Sequence, residues 1–362
     1  MTHSGISTLR MRNQQIEGSE FQSVKELVNW MGAMQAQDFA MAKWAVGCRT
    51  KHTTEKSFME AYHQGEIIRT HLMRPTWHLV SSDDIYWMLE LTGPQIKPLL
   101  KLRNRQLELT EIVYTTSYRM LENVLSNGVS LTRDELTEEF DNLHIVTNEN
   151  RLSHILMGAE LEGIVCSGPM KANKLTYALL SERVPVKKQL TREEALAALA
   201  RRYFTSHCPA TLRDFTWWSG LTITHARKAL ESIKGDLISE TIGTETYWMS
   251  HSFTNANAAK PSVHLLPSYD EFLIGYADRT AALEAVHNKK TISENGIFRP
   301  IVVVNGQVVG LWKRITKKDT VYLEVNHFIP FDVEVTKAIE QESERYGAFL
   351  NKKVELAIGG VS

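Results

Sequence analysis

The sequence predicts an α+β fold in which three tandem winged-helix modules precede a small C-terminal β-barrel-like domain. Three observations lead there. The order helix, helix, helix, β-hairpin recurs along residues 5–90, 115–180 and 192–250. Past residue 256 the pattern exchanges helical spacing for short β-rich runs. A chain of 362 residues also exceeds what one ordinary core organises, so several packed units are expected.

The pattern is clearest in the middle unit. Tyr118, Leu121, Val124 and Leu125 form a helical stripe that Asn127-Gly128 stops. Thr132, with Glu135 three residues later, is a capping box for a helix running to about Phe140. Ile155, Leu156, Ala159 and Leu161 mark a third helix, ended by Gly163. A strand at 164–166, a turn at Gly168-Pro169 and a strand around 175–177 complete the unit. The later copy has helices over 192–204 and 210–219, a third after Thr222, and strands 237–239 and 246–248 flanking Gly243. The first copy is weaker, with helices near 6–12, 24–34 and 57–64 and a hairpin of 67–72 and 76–80 turning at Met73-Arg74-Pro75. Beyond the three copies, 264–266, 301–304, 307–312 and 321–325 read as strands. Asn305-Gly306 is a hairpin turn among them, and 333–350 is a closing helix. The domain limits that follow are 1–110 (with a connecting helix), 111–185, 186–255 and 256–362.

Composition narrows the function. Lys plus Arg number 41 against 42 Asp plus Glu, a formal net charge of −1, so any DNA-binding surface must arise from segregated charge. No run approaches the ~18 to 20 apolar residues of a membrane span, and the first ten residues lack a signal-peptide core, so a cytoplasmic location is expected. Cys48, Cys166 and Cys208 stand singly and read as reduced thiols. There is no HExxH, GxSxG, Walker loop or GxGxxG opening a helix, and the histidines do not cluster with cysteines at zinc spacing. No metal or organic cofactor is expected.

Met34-Gln35-Ala36-Gln37-Asp38 carries a Gln-x-Gln motif, and further segments follow it in order: 69–80 (RTHLMRPTWHLV), 214–221 (DFTWWSGL), 265–276 (LLPSYDEFLIGY), and Phe298-Arg299-Pro300 through Gly310-Leu311-Trp312. Together they resemble the AlkZ-like DNA glycosylases over nearly the whole chain. The resemblance implies three tandem winged helices with a C-terminal β-barrel, a catalytic Gln-x-Gln, and excision of N7-alkylated purines from duplex DNA. It also implies that some members unhook interstrand cross-links.

The chemistry is consistent with that implication. An N7-alkylated purine is already cationic and leaves readily, so the remaining tasks are to stabilise an oxocarbenium-like sugar and to place a water. A carboxamide performs both through its oxygen, which accepts from the water and presents partial negative charge to the sugar, while its NH₂ holds a phosphate or a second water, although it is no strong base. Gln35 and Gln37 are therefore the candidate catalytic pair. On a regular helix they would diverge by ~200°, so a helix end or following turn is expected to hold them.

Asp38 is read either as a base for the water or as the cap of a helix over 40–46, capping being the simpler reading. Lys43 is a candidate phosphate contact on that helix. Arg69, His71, Arg74 and His78 on the first wing, with Arg299 and Arg314 in the β-domain, complete the candidate DNA-binding set. His71 and His78 alternate with apolar residues and read equally as structural histidines. The aromatic run 215–218 reads as a packed helix face. No lysine is placed by any motif as a Schiff-base nucleophile, so lyase activity is not expected. The alternatives are a non-catalytic winged-helix regulator or architectural protein, or a protein-docking scaffold. Regulators of this kind are small dimers on palindromes, whereas three divergent copies in one chain favour a monomer on duplex DNA.

Overall fold

The computed structural model describes residues 2–250 and 262–360. The first third comprises α1 (His3–Asn13), α2 (Val24–Met31), β1 (Ala33–Gln35), α3 (Phe39–Gly47), α4 (Glu55–Gln64), β2 (Ile67–His71), β3 (Trp77–Ser81) and α5 (Ile85–Gln106). The middle holds α6 (Glu111–Val124), β4 (Leu131–Thr132), α7 (Arg133–Asn142), α8 (Arg151–Leu161), β5 (Val165–Lys171), β6 (Lys174–Leu179) and the short α9 (Leu180–Arg183). Then come α10 (Arg192–Ser206), α11 (Leu212–Ser219), α12 (Ile223–Ile233), β7 (Leu237–Ile242) and β8 (Glu245–Ser250). The C-terminal part contains β9 (Val263–Leu266), α13 (Glu271–Ile274), α14 (Asn288–Thr291), β10 (Ile301–Val304), β11 (Gln307–Thr316), β12 (Thr320–His327), α15 (Val333–Leu350) and β13 (Lys353–Gly359).

Three units share one order: helix, short strand, helix, helix, hairpin. In the first, β1 joins the hairpin in the order β1-β3-β2; in the second, β4 joins in the order β4-β6-β5. In the third, the bridge Ala210↔Trp248 takes the place of that short strand beside β7-β8. Side-chain caps set the helix starts, with capping boxes at Thr132/Glu135, Thr191/Glu194 and Thr211/Asp214.

Two expected details differ. The first unit uses α2, α3 and α4, whose apolar faces close on Met34, Ala36 and Ile67, while α1 lies elsewhere. Polar side chains decide this: Arg10 Nε donates to the Pro209 carbonyl, Asn13 to that of Cys208, and Gln14 to the Tyr276 hydroxyl. The middle hairpin turns at Ala172-Asn173, both at positive φ, and not at Gly168-Pro169. The earlier dipeptide is absorbed as an irregularity of β5 between Gly168 and Lys171, where Thr176 Oγ1 donates to the Pro169 carbonyl at 2.6 Å.

The C-terminal strands form a five-stranded sheet, β13-β12-β11-β10-β9. Among the described residues β9 and β13 are the edges of the sheet, so the barrel-like domain expected is a five-stranded sheet without barrel closure. The 353–359 strand, missed in the sequence, returns through α15 to lie parallel to β12. The cores cross unit limits. One runs from Ala33, Leu72 and Trp87 through Leu199 and Phe215 to Tyr276, joining the first and third units. Trp44 of α3 packs on Tyr346 and Phe349 of α15 at 4.9 and 5.3 Å and donates Nε1 to the Leu265 carbonyl. Burying one such ring contributes roughly 2–3 kcal/mol. The limit expected between 255 and 256 lies outside the described residues. No helix among the described residues is long and apolar enough to cross a membrane.

Candidate active site

Gly32 decides how the two glutamines are presented. With φ at +78° it stops α2 at Met31, and a Cβ there would approach the Arg202 Cβ to 3.2 Å. The next three residues form a strand and Gln37 follows in a bend, whereas the sequence points to a helix end or the turn after it. β1 pairs with β3 in the register Ala33↔Val80, Met34↔Leu79 and Gln35↔His78. The Ala36 N–H extends that ladder to the Trp77 carbonyl at 2.7 Å. Met34 and Ala36 enter the core of the first unit, whereas Ala33 enters the core shared with the third unit. Gln35 is the last residue of β1, and Gln37 follows two residues later in the bend that leads into α3. Gln35 is 6 % exposed and Gln37 lies on the surface.

Gln35 is held from both ends. Its N–H donates to Glu271 Oε1 at 2.7 Å, and its Oε1 accepts from Arg74 Nη2 at 3.1 Å. Arg74 offers only donors, so the amide oxygen faces it and the NH₂ is left for other partners. Glu271, buried at the start of α13, also accepts from Trp218 Nε1 at 3.1 Å and lies 3.3 Å from His207 Nε2. Burial alone would raise its carboxyl, but hydrogen bonds from His207 and the Gln35 N–H bring it below the ordinary range. His78, opposite Gln35, is held neutral: burial, then the Arg74 charge, pushes its imidazole down to about 3. Gln37 makes no side-chain hydrogen bond among the described residues, which leaves its whole carboxamide available to a ligand.

The other residues singled out in the sequence divide sharply. Asp38 is the α3 cap, accepting from the Met41 N–H at 3.1 Å. Lys43 is paired with Glu55. Arg69 is buried and not on an exposed wing; its Nε donates to the Ala36 carbonyl at 3.0 Å and its guanidinium lies 4.0 Å from the Trp77 ring, so it braces the motif from inside. His71 is buried against Glu160. None of Arg69, His71 and His78 offers a surface to a phosphate: Arg69 and His71 are packed against the second unit, and His78 is buried opposite Gln35. Arg299 is exposed, and Arg314 is half-buried 6.0 Å from the Tyr346 ring. Arg74 is half-buried in the β2–β3 loop at φ +54°, seated on Gly220, where a Cβ would meet it at 3.3 Å.

Three residues escaped the sequence reading: Glu271, Trp217 and Arg279. Two acids set against the apolar run Phe272-Leu273-Ile274 were the available signal for Glu271, since a carboxylate drawn into a core needs donors. Trp217 was read as core, yet it is 41 % exposed beside a groove of about 720 Å³ that Arg213, Ile223, Arg227 and Trp248 also line.

A family model described as DNA glycosylase AlkZ-like matches residues 28–349, a span that includes both glutamines, Arg74, Glu271 and the C-terminal sheet as far as α15. The chain belongs to the AlkZ-like DNA glycosylase family. It is therefore a DNA glycosylase, a hydrolase of N-glycosidic bonds in DNA. Among curated proteins it is similar to an interstrand DNA cross-link repair glycosylase of Streptomyces sahachiroi, 27 % identical over 357 residues covering 92 % of each chain. Among solved structures it is similar to the Streptomyces sahachiroi DNA glycosylase AlkZ, with a TM-score of 0.82 and 22 % identity over 99 % of this chain and 100 % of that one. That likeness shows the fold, and the AlkZ-like assignment extends it to the reaction.

Proposed function

We propose that this AlkZ-like glycosylase is monofunctional and excises purines alkylated at N7 or N3 from duplex DNA, acting as a monomer. The observation that carries the proposal is a pair of carboxamides two residues apart, one at the end of β1 and held by Arg74, the other exposed in the bend after it with no carboxylic acid or amine of the described residues hydrogen-bonded to its side chain. Such a site stabilises charge and positions water but lacks a strong acid, so it suits a base that is already cationic. Gln37, unencumbered, accepts from the attacking water and presents its oxygen to the developing positive sugar. Gln35, with its oxygen committed to Arg74, directs its NH₂ toward the water or the nucleotide backbone. A guanine linked through N7 to a second strand is the same kind of leaving group, and by analogy with the Streptomyces relative's name we include interstrand cross-links among the substrates.

In this reading the three helix-and-hairpin units are winged helices. They occupy 1–110, 111–185 and 186–255, and 256–362 forms the C-terminal β-domain. Arg299 and Arg314 stand as candidate phosphate contacts of that last domain.

The test is incubation with duplexes carrying N7-methylguanine or uracil, following free base by chromatography and strand breaks with and without alkali. Release of N7-methylguanine with breaks only after alkali is expected. Uracil release, alkali-independent breaks, or an untouched N7-methylguanine duplex would each overturn the proposal.

A further inference from the structure

Several interior cations of this protein are matched by carboxylates. Arg49 is bidentate on Asp270 at 2.6 and 2.8 Å, Arg10 lies 3.5 Å from Asp214, and Arg202 lies 2.7 Å from Asp84. Arg74 and Arg279 are not, and unlike the buried Arg69, which is sealed between the Ala36 carbonyl and the Trp77 ring, they remain partly open to solvent and share one aromatic ring. Both are half-buried, and neither has a carboxylate oxygen within 4.0 Å among the described residues. The Arg74 Nε is fully buried with no hydrogen-bond partner. Arg279 spends Nε and Nη1 on the carbonyls of Leu273 and Ala277 at 2.9 and 3.4 Å, which fixes its plane without neutralising it. Both guanidiniums approach one ring, at 5.4 and 5.3 Å from the Trp217 centroid, and Arg279 is also 5.1 Å from that of Phe298. They repel one another across that ring, and burial with this repulsion pushes the Arg279 guanidinium down to about 10, against the pull of Asp214 and Asp278.

Two like charges held together, partly out of water and unmatched, are an unfavourable arrangement that a bound anion relieves. The same Arg74 contacts Gln35, so the anion would sit beside the scissile nucleotide.

We propose that Arg74, Arg279 and the Trp217 ring form a binding site for one phosphodiester of the DNA backbone, next to the nucleotide addressed by Gln35 and Gln37. Arg279 grips through its Nη2 edge, and Trp217 holds the two guanidiniums in position. Because Arg74 bridges this phosphate and the Gln35 oxygen, backbone engagement also orients the carboxamide. The proposal rests on the glycosylase reading but is tested by binding alone.

The probe is a duplex with a tetrahydrofuran abasic analogue, in which phosphates on either side are replaced one at a time by neutral methylphosphonates. Wild-type protein is expected to lose roughly tenfold in affinity at one position and little at its neighbours. Arg279→Gln should lose a similar factor on the natural backbone, lose no more at that position, and lower the salt slope of binding by about one. Arg279→Lys should recover part of the loss. A flat methylphosphonate scan with wild-type protein would overturn the site without any variant, as would losses in Arg279→Gln that multiply with those of every methylphosphonate. Base release by wild-type protein on unmodified N7-methylguanine duplex separates failure of this site from failure of the glycosylase reading.

Discussion

Glu271 is the residue on which the local geometry of the site turns. It receives the Gln35 N–H and Trp218 Nε1–H and faces His207, all away from water. Glu271→Ala leaves these groups unmatched and is expected to destabilise the fold by roughly 3–5 kcal/mol, whereas Glu271→Gln, which still accepts, costs about 1–2 kcal/mol. Urea denaturation with both variants checks the order; equal losses would contradict the role of the charge.

His78 supplies a pH signature. In the folded protein its imidazole is pushed down to about 3, and that of His264 likewise, whereas an unfolded histidine titrates near ~6.5. Between those values the unfolded chain binds protons that the folded one refuses, so folding is favoured above pH ~6.5 and loses that advantage as pH falls toward ~3. The urea midpoint should therefore drop between pH 7 and pH 4, and His78→Gln should flatten the drop by an amount on the order of 1–4 kcal/mol. A slope unchanged in the variant would contradict a neutral, buried His78.

At the scale of elements, the central feature is a three-residue strand. Its placement depends on Gly32, so Gly32→Ala, strained at positive φ and crowded by Arg202, should destabilise by about 1–2 kcal/mol and slow excision by displacing both glutamines. Urea denaturation and single-turnover excision check both effects, and no change in either measurement would contradict the strand's role. This element was illegible in the sequence because three residues show no period, and the stripe Val24, Leu27, Val28, Met31 invites the helix to continue past Gly32. By contrast, 333–350 was legible to the residue as α15, since its eighteen residues repeat the helical pattern and Asp332 caps it. The middle hairpin turn was misplaced because Gly168-Pro169 satisfies the usual turn chemistry while lying inside β5, where an irregular register tolerates a proline. The motif's residue types were readable, but burial was not: nothing in Arg69 or His71 distinguishes a brace from a phosphate ligand until β2 is packed against the second unit.

Across the whole molecule, near-neutral charge conceals a division of labour. Interior ion pairs such as Arg49–Asp270 and Arg10–Asp214 tie α1 and α3 to the third unit and the C-terminal sheet. The unmatched guanidiniums of Arg74 and Arg279 are gathered near Gln35, and the exposed Arg213 and Arg227 line the groove beside Trp217. Affinity for undamaged duplex should accordingly be modest and fall steeply with salt. The central claim is that the two carboxamides at the end of β1 and in the bend after it suffice for hydrolysis, and single-turnover release of N7-methylguanine by wild type, Gln35→Ala, Gln37→Ala and the double variant tests it most directly. Gln37→Ala is expected to slow release by roughly one to three powers of ten while binding of the abasic-analogue duplex stays unchanged. Gln35→Ala should slow it comparably and also weaken binding through Arg74, and the double variant should lose less than the product of the two effects. Wild-type rates in the double variant would contradict the account.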